Sequence, residues 1–395
     1  MVMPFRAMLE RMRMAIVGGA LLIVGVVAVV LHLEPLNAVD VLWNRVWPIL
    51  LFVAAITVVT EFVAEAGVFT AISERLARWG RGRAWMLWLL VSVLCVVVTM
   101  FFSLDTTAVL ITPVVIIVVR HTGLRILPFA LTTVWLANTA SLLLPVSNLT
   151  NLLAQEVSSQ SVAQFVVLSW APAVIAMVIP LAVVTIAFRR DLGARFTAPP
   201  DAPLGDRTLF TISIVVLVVL MPALVSGIPV WIPACAAALV LTLTFALRRR
   251  AVVRIRLIPW SLLAFACGLF LVVDSAHQLG LGTALAAATG DGTGFAQLLR
   301  LAGAGAASAN LANNLPAYLA LEPSAVGSPI RMMALLIGVN CGALVTPWAS
   351  LATLLWHNRL TALGVEVPWR TFILLGFIVA PLTILGSVAA LALIS

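Results

Sequence analysis

Hydrophobic positions in this chain do not alternate with polar ones. They form unbroken runs of roughly 17 to 25 residues, the length an α-helix needs to cross a bilayer core. Such runs cover about 14–32, 47–66, 163–188, 208–226, 229–247, 258–277 and 369–393. A basic amphipathic stretch, Thr70 to Arg83, follows the second run. Residues 84–119 form two apolar legs meeting at Phe102-Ser-Leu-Asp105-Thr-Thr107, with Arg81 and Arg83 before them and Arg120 and Arg125 after. Basic flanks at both ends predict a hairpin that enters the membrane and returns to the side it left. Residues 295–321 form a second, Gly/Ala/Asn-rich hairpin, tipped by Ser308-Ala-Asn310-Leu-Ala-Asn313-Asn314-Leu-Pro316.

Two apolar segments carry polar interruptions at depth. Within 126–158 stands Asn138-Thr-Ala-Ser-Leu-Leu-Leu-Pro-Val-Ser-Asn-Leu-Thr-Asn151, and within 330–356 stands Asn340-Cys-Gly-Ala-Leu-Val-Thr-Pro-Trp-Ala-Ser350-Leu-Ala-Thr353. Proline removes a helical hydrogen bond, and amides at that depth are costly unless they line a cavity, so both segments read as broken helices. An offset of 202 residues pairs Asn138 with Asn340, Pro145 with Pro347 and Asn148 with Ser350. Trp47–Gly67 aligns without a gap on Trp260–Gly280, pairing Glu61 with Asp274, and the two segments cross the membrane in opposite directions. The expected fold is therefore an all-α polytopic membrane protein of two inverted-topology repeats with re-entrant hairpins and discontinuous helices. Repeat 1 covers 1–188, a cytoplasmic linker with Pro199, Pro200, Asp201 and Pro203 covers 189–207, and repeat 2 covers 208–395. The first run matches 229–247, which leaves 208–226 without a partner and repeat 1 short of its leading helix.

Composition agrees with the pattern. With 63% hydrophobic and 10% charged residues, the chain has too little polar surface to cover a soluble globule. The net charge of +8 rests on arginines alone. Scattered between apolar runs, they do not form the basic face that nucleic acid requires. A cytoplasmic N-terminus puts every arginine inside except Arg45, Arg300 and Arg331, which predicts a multi-pass protein of the cytoplasmic (inner) membrane. Arg6, Arg11 and Arg13 before Met14–Leu31 imitate a signal peptide, but the run is long and lacks a cleavage site, so a retained first helix is expected. Cys95, Cys235, Cys267 and Cys341 show neither metal nor disulfide spacing, and no cofactor is implied.

The candidate site is the set of polar groups at the breaks and tips. Asn138, Ser141, Ser147, Asn148, Thr150 and Asn151 in the first half, and Asn310, Asn313, Asn314, Asn340, Thr346 and Ser350 in the second, offer donors and acceptors that a solute could exchange for water. Part of the set is expected merely to satisfy carbonyls freed by the breaks. Asp105 is the one ionisable group at a break. A carboxylate there is expected to change charge near neutral pH and to carry protons, the competing reading being an N-cap for the second leg of its hairpin. Glu61 is the second proton-coupling candidate. Glu61 itself, Glu65, and Asp274 with His277 read more readily as interfacial or structural groups, and Cys341 as a packed thiol rather than a soft ligand.

Phe102-Ser-Leu-Asp-Thr-Thr-Ala-Val-Leu-Ile-Thr-Pro113, the run Asn138–Asn151, Asn313-Asn-Leu-Pro316 and Thr346-Pro-Trp-Ala-Ser-Leu-Ala-Thr-Leu-Leu-Trp356 together resemble the arsenite permease (ArsB-type) branch of the ion transporter superfamily, over about residues 40 to 390. The resemblance implies export of trivalent arsenic or antimony as a neutral hydroxide in exchange for protons. It also implies a soluble ATPase of arsenic operons as a partner. The sequence departs from the branch at Leu104-Asp105-Thr106, where Asn-Asp-Gly is common, and at Gly338-Val-Asn340-Cys-Gly-Ala-Leu344, where an Asp and a Lys are lost together. A Na⁺/H⁺ antiporter and a Na⁺-coupled dicarboxylate transporter remain alternatives within the fold. An intramembrane enzyme would give the symmetric breaks no role. The residues leave the oligomeric state open, a homodimer included.

Overall fold

A backbone without water to bond must satisfy itself, so each apolar run closes into a helix. The computed structural model describes residues 5–31, 36–197 and 205–395. Helices α1 (Phe5–Val30) and α2 (Leu36–Glu65) are followed by the surface helix α3 (Val68–Trp79). The first hairpin is α4 (Ala84–Phe101), a single turn α5 (Leu104–Thr106), a π-helical segment Thr107–Ile111 and α6 (Thr112–His121). The first broken helix is α7 (Ile126–Thr139), two 3-10 turns and α8 (Leu149–Val157), followed by α9 (Val162–Ala187) and the short α10 (Arg189–Leu192). The second half opens with α11 (Arg207–Val225), α12 (Trp231–Arg248), α13 (Trp260–Gln278) and α14 (Leu281–Thr289). Its hairpin is α15 (Phe295–Leu311) and α16 (Asn314–Leu321). Its broken helix is α17 (Pro329–Leu336), a π-helical segment Ile337–Cys341 and α18 (Leu351–Ala362), before the closing α19 (Trp369–Ile394). Eight segments among the described residues are long and apolar enough to cross a membrane.

Element boundaries repeat between the halves. Both hairpin turns follow a first leg ending at Phe101 or Leu311, and the second parts of both broken helices begin after Asn148 or Ser350, of which Asn148 caps with its side chain and Ser350 does not. The α2–α3 junction at Gly67 corresponds to the α13–α14 junction at Gly280, and both glycines have positive φ, which lets the chain turn left-handed there. This makes α14 the counterpart of α3, an element the hydrophobic runs do not predict. Of the linker, α10 is helical and Phe196 N–H bonds Gly82 O, pinning it to the loop before the first hairpin. The proline cluster at 199–203 lies outside the described residues.

The halves interlock. α1 packs against α13, and α12 against α2, so the second helix of each half lies against a helix of the other. The α1–α13 crossing depends on missing side chains, because a Cβ on Gly268 would stand 2.4 Å from Leu22 N and one on Gly18 2.8 Å from Phe265 N. α9 pairs with α19. Each hairpin tip reaches the far half as well as its own: α5 packs on α7 and α18, and α16 on α8.

The cap at the first tip belongs to Ser103. Its Oγ accepts from Thr106 N–H at 3.1 Å, as Asn313 Oδ1 accepts from Leu315 N–H at 3.3 Å in the second tip. This corrects the N-cap reading of Asp105, which sits one turn position inside α5. Ser103, two residues earlier and equally apt to cap, holds the place that Asn313 holds in the other half.

Candidate functional site

The first break is built from backbone carbonyls that the helix abandons and side chains that recover them. α7 is buried on all sides from Pro128 to Thr139. Asn138 Nδ2 donates to Val134 O (2.9 Å) and Ser141 Oγ to Asn138 O (2.7 Å). Past Pro145, Ser147 Oγ donates to Ser141 O, and Asn151 Nδ2 donates to Ser141 O (2.7 Å) and Leu144 O (3.1 Å). Ser169 on α9 donates to Leu143 O (2.8 Å). These groups do what a broken membrane helix requires.

The second break is stapled to its hairpin chiefly by the amide of Asn310. Asn310 Nδ2 donates to Gly342 O (2.8 Å), while its Oδ1 accepts from Thr346 N–H (2.9 Å) and Val345 N–H (3.3 Å). Asn310 O accepts from Thr346 Oγ1 (2.9 Å) and from Trp348 Nε1 (2.8 Å). Asn313 Nδ2 donates to Trp348 O (2.9 Å), and Asn314 N–H to Ala349 O (2.8 Å). Tip and break therefore form one rigid unit in this half.

Between the halves lies a side-chain hub. Asn340 Oδ1 accepts from Asn148 Nδ2 (2.9 Å) and Thr150 Oγ1 (3.0 Å), and Asn340 Nδ2 donates to Asn151 Oδ1 (2.8 Å). All four residues are buried. The offset pairs Asn340 with Asn138, yet the two play different parts: Asn138 stays with its own backbone and Asn340, carried by the π-helical segment, crosses to the other half. A π-bulge turns a side chain off the face a regular helix would give it, and such segments recur at functional sites.

Three polar atoms of the two breaks are buried without a hydrogen-bond partner: Asn138 Oδ1, Ser350 Oγ and Thr353 Oγ1. Asp105 Oδ1 is in the same state. Asp105 is half-buried and has no ion-pair partner among the described residues, and its neighbours Ser103 and Thr106 share a hydroxyl contact of 3.1 Å. Glu61 lies partly buried on α2. Glu65 pairs with Arg249 (3.1 Å) at the surface, and His277 Nε2 lies 3.2 Å from Ala320 O. Cys341 is fully buried.

The sequence reading missed a partly buried ion pair between the halves. Arg45 on α2 makes a two-pronged contact with Glu322 at the end of α16, one prong at 3.1 Å, and Tyr318 Oη donates to Glu322 Oε1 at 2.7 Å. The available signal was Arg45 itself, one of three arginines on the wrong side for topology, but its partner is 277 residues away.

Comparison with known proteins bears on this geometry. A family model described as a citrate transporter matches residues 7–329. The arsenical pump membrane protein of Yersinia enterocolitica is 27% identical over 400 residues, covering 95% of this chain and 93% of that protein. The protein of the same description from Escherichia coli strain K12 is 28% identical over 379 residues, covering 90% and 88%. In fold, the chain is similar to the YdaH transporter of Alcanivorax borkumensis, whose crystal structure is described as revealing an unusual topology. The TM-score is 0.57 at 16% identity, with 97% of each chain covered.

Proposed function

The chain belongs to the citrate transporter family, and from that membership we propose that it is a secondary transporter exporting trivalent arsenic or antimony as a neutral hydroxide in exchange for protons. Its relatives are named arsenical pump membrane proteins. The observation that carries the reading is the chemistry of the buried junction: amides and hydroxyls from both halves, with no lysine, arginine or histidine in either break or either tip. Holding a tri- or dicarboxylate there would leave its charge without a counter-ion in a low-dielectric site, which is costly. A neutral trihydroxide asks only for donors and acceptors in similar number, and that is what Asn138, Asn148, Thr150, Asn151, Asn340 and Ser350 offer. The partnerless Asn138 Oδ1 and Ser350 Oγ are ready to receive it.

Outward movement against a gradient needs a driving ion, and Asp105 is the group assigned to it, with Glu61 the reserve. A protonated Asp105 donates a hydrogen bond as an amide does. Once ionised it attracts a proton from the side to which the tip is open. In this proposal the N-terminus is cytoplasmic, the repeats meet at the 189–207 linker, and a soluble ATPase or a second copy of the chain joins outside the solute path. The test is arsenite and antimonite uptake into everted vesicles under an imposed pH gradient. Accumulation that collapses with the gradient supports the reading. Gradient-driven citrate or Na⁺ movement without metalloid movement refutes it.

A further inference from the structure

The two halves match element for element, yet they differ in what is open. Trp348 is 50% exposed, and at the second tip Leu311 is 83% exposed and Ala312 exposed beside it, while in the first half Val146, the counterpart of Trp348, is 2% and Phe102, the counterpart of Ala312, is 1% exposed, with Phe101, the counterpart of Leu311, half-buried. Phe102 is covered by Phe69 of α3 at a ring separation of 6.4 Å. The open patch is not purely apolar. Asn310, Asn313 and Thr346 are each partly exposed beneath it, whereas Asn148, Thr150, Asn151 and Asn340 are sealed. Amides and a hydroxyl exposed at the tip of a membrane hairpin are intolerable against lipid and face a water-filled space instead. The Trp348 ring is not loose in that space, since its Nε1 is fixed to Asn310 O at 2.8 Å.

We propose that Trp348 and Leu311 wall a water-filled vestibule leading to Asn310, Asn313 and Thr346, and that the face of the Trp348 ring is a specificity-determining contact for the solute. The vestibule itself follows from exposure and polarity. The ring's role rests on the transport reading above. A neutral hydroxide loses water more cheaply against an indole face than a carboxylate or a hydrated cation does, so an apolar wall before a polar floor sorts solutes by charge before they reach the amides. The second-half break and tip, bonded into one unit through Asn310, carry the wall and floor together.

The test has two arms. Leu311→Cys, read against the wild-type background of its own four cysteines, is treated with a membrane-impermeant maleimide in right-side-out and everted vesicles. Labelling from one side only is expected. No labelling by the impermeant reagent from either side, with labelling by a lipid-soluble maleimide, means the patch faces lipid and overturns the vestibule. This arm needs no solute and is decided whatever the protein carries. The second arm compares Trp348→Phe with Trp348→Ala for arsenite transport in everted vesicles. Phenylalanine keeps an aromatic wall but not the bond to Asn310 O, so Phe should stay near the wild-type KM while Ala raises KM by roughly tenfold with Vmax retained. Equal loss in both variants would assign Trp348 to the tether alone and overturn the contact, as would an unchanged KM in the alanine variant.

Discussion

Replacing Asn340 by alanine should uncouple the halves at their centre. The substitution removes three hydrogen bonds, to Asn148, Thr150 and Asn151, all between buried side chains. Side-chain hydrogen bonds inside membrane proteins average about 0.6 kcal/mol, less than burial alone suggests, because the unfolded chain in lipid finds other partners. Three of them amount to about 2 kcal/mol, close to a 30-fold change in the unfolding equilibrium. Asn151 keeps its bonds to Ser141 O and Leu144 O, so the first break should hold its shape and the loss should fall on the contact between halves. The measurement is unfolding in mixed micelles followed by circular dichroism, on Asn340→Ala, Thr150→Val and the double variant. Thr150→Val removes one of the three bonds and should cost about 0.6 kcal/mol. The double variant should lose less than the sum of the singles by about that amount, because the shared bond can be lost only once. Strict additivity, or an Asn340→Ala no weaker than a lipid-facing substitution, would refute the hub as a structural link.

Four further outcomes are expected. Asp105→Asn should abolish pH-driven metalloid accumulation while leaving downhill exchange, and Asp105→Ala should remain folded because Ser103 supplies the cap; uphill transport by Asp105→Asn at the wild-type rate would move the coupling role to Glu61. Gly338→Ala should cost about 1–3 kcal/mol or prevent expression, since its Cβ would stand 2.2 Å from Ala302 O, whereas Gly303→Ala, with nothing near its Cβ, should be neutral in the same thermal assay. Arg45→Gln should strand the buried Glu322 carboxylate and lower stability by about 3–5 kcal/mol, and Arg45→Met with Glu322→Leu should recover much of it. Asp206 caps α11 and is held below the usual carboxylate range, chiefly by its hydrogen bond from the Arg248 side chain. Its contribution is therefore present at neutral pH and fades as pH falls from the ordinary carboxylate value of about 3.9 toward the lowered one, so a melting difference between Asp206→Asn and wild type should vanish in acid.

Depth made much of this site legible, and distance hid the rest. A polar residue inside an apolar run announces itself, so both breaks, both tips and the 202-residue register between Asn148 and Ser350 could be read from the chain, and both residues do stand at the N-cap position of their helices, although only Asn148 caps with its side chain. What a linear pattern cannot carry is which polar group meets which. Asn340 and Asn138 occupy matching positions, but only Asn340 sits on a π-helical segment that turns it toward the other half, and no periodicity marks where a helix widens. Ser103 and Asp105 are both capping residues two positions apart, and the choice between them depends on where the hairpin turns, which the aligned tip at Asn313 reveals only once both turns are seen. α14 has nine residues, too few to stand out as an apolar run, and emerges from its correspondence to α3. The asymmetry at Trp348 is subtler still: tryptophan at that position reads as one more apolar residue, and only its exposure beside Asn313, against the burial of Val146, separates a wall of the solute path from a piece of the core. Function in an inverted repeat resides in such broken equivalences, because two halves that were alike in every contact would give the solute no side from which to enter.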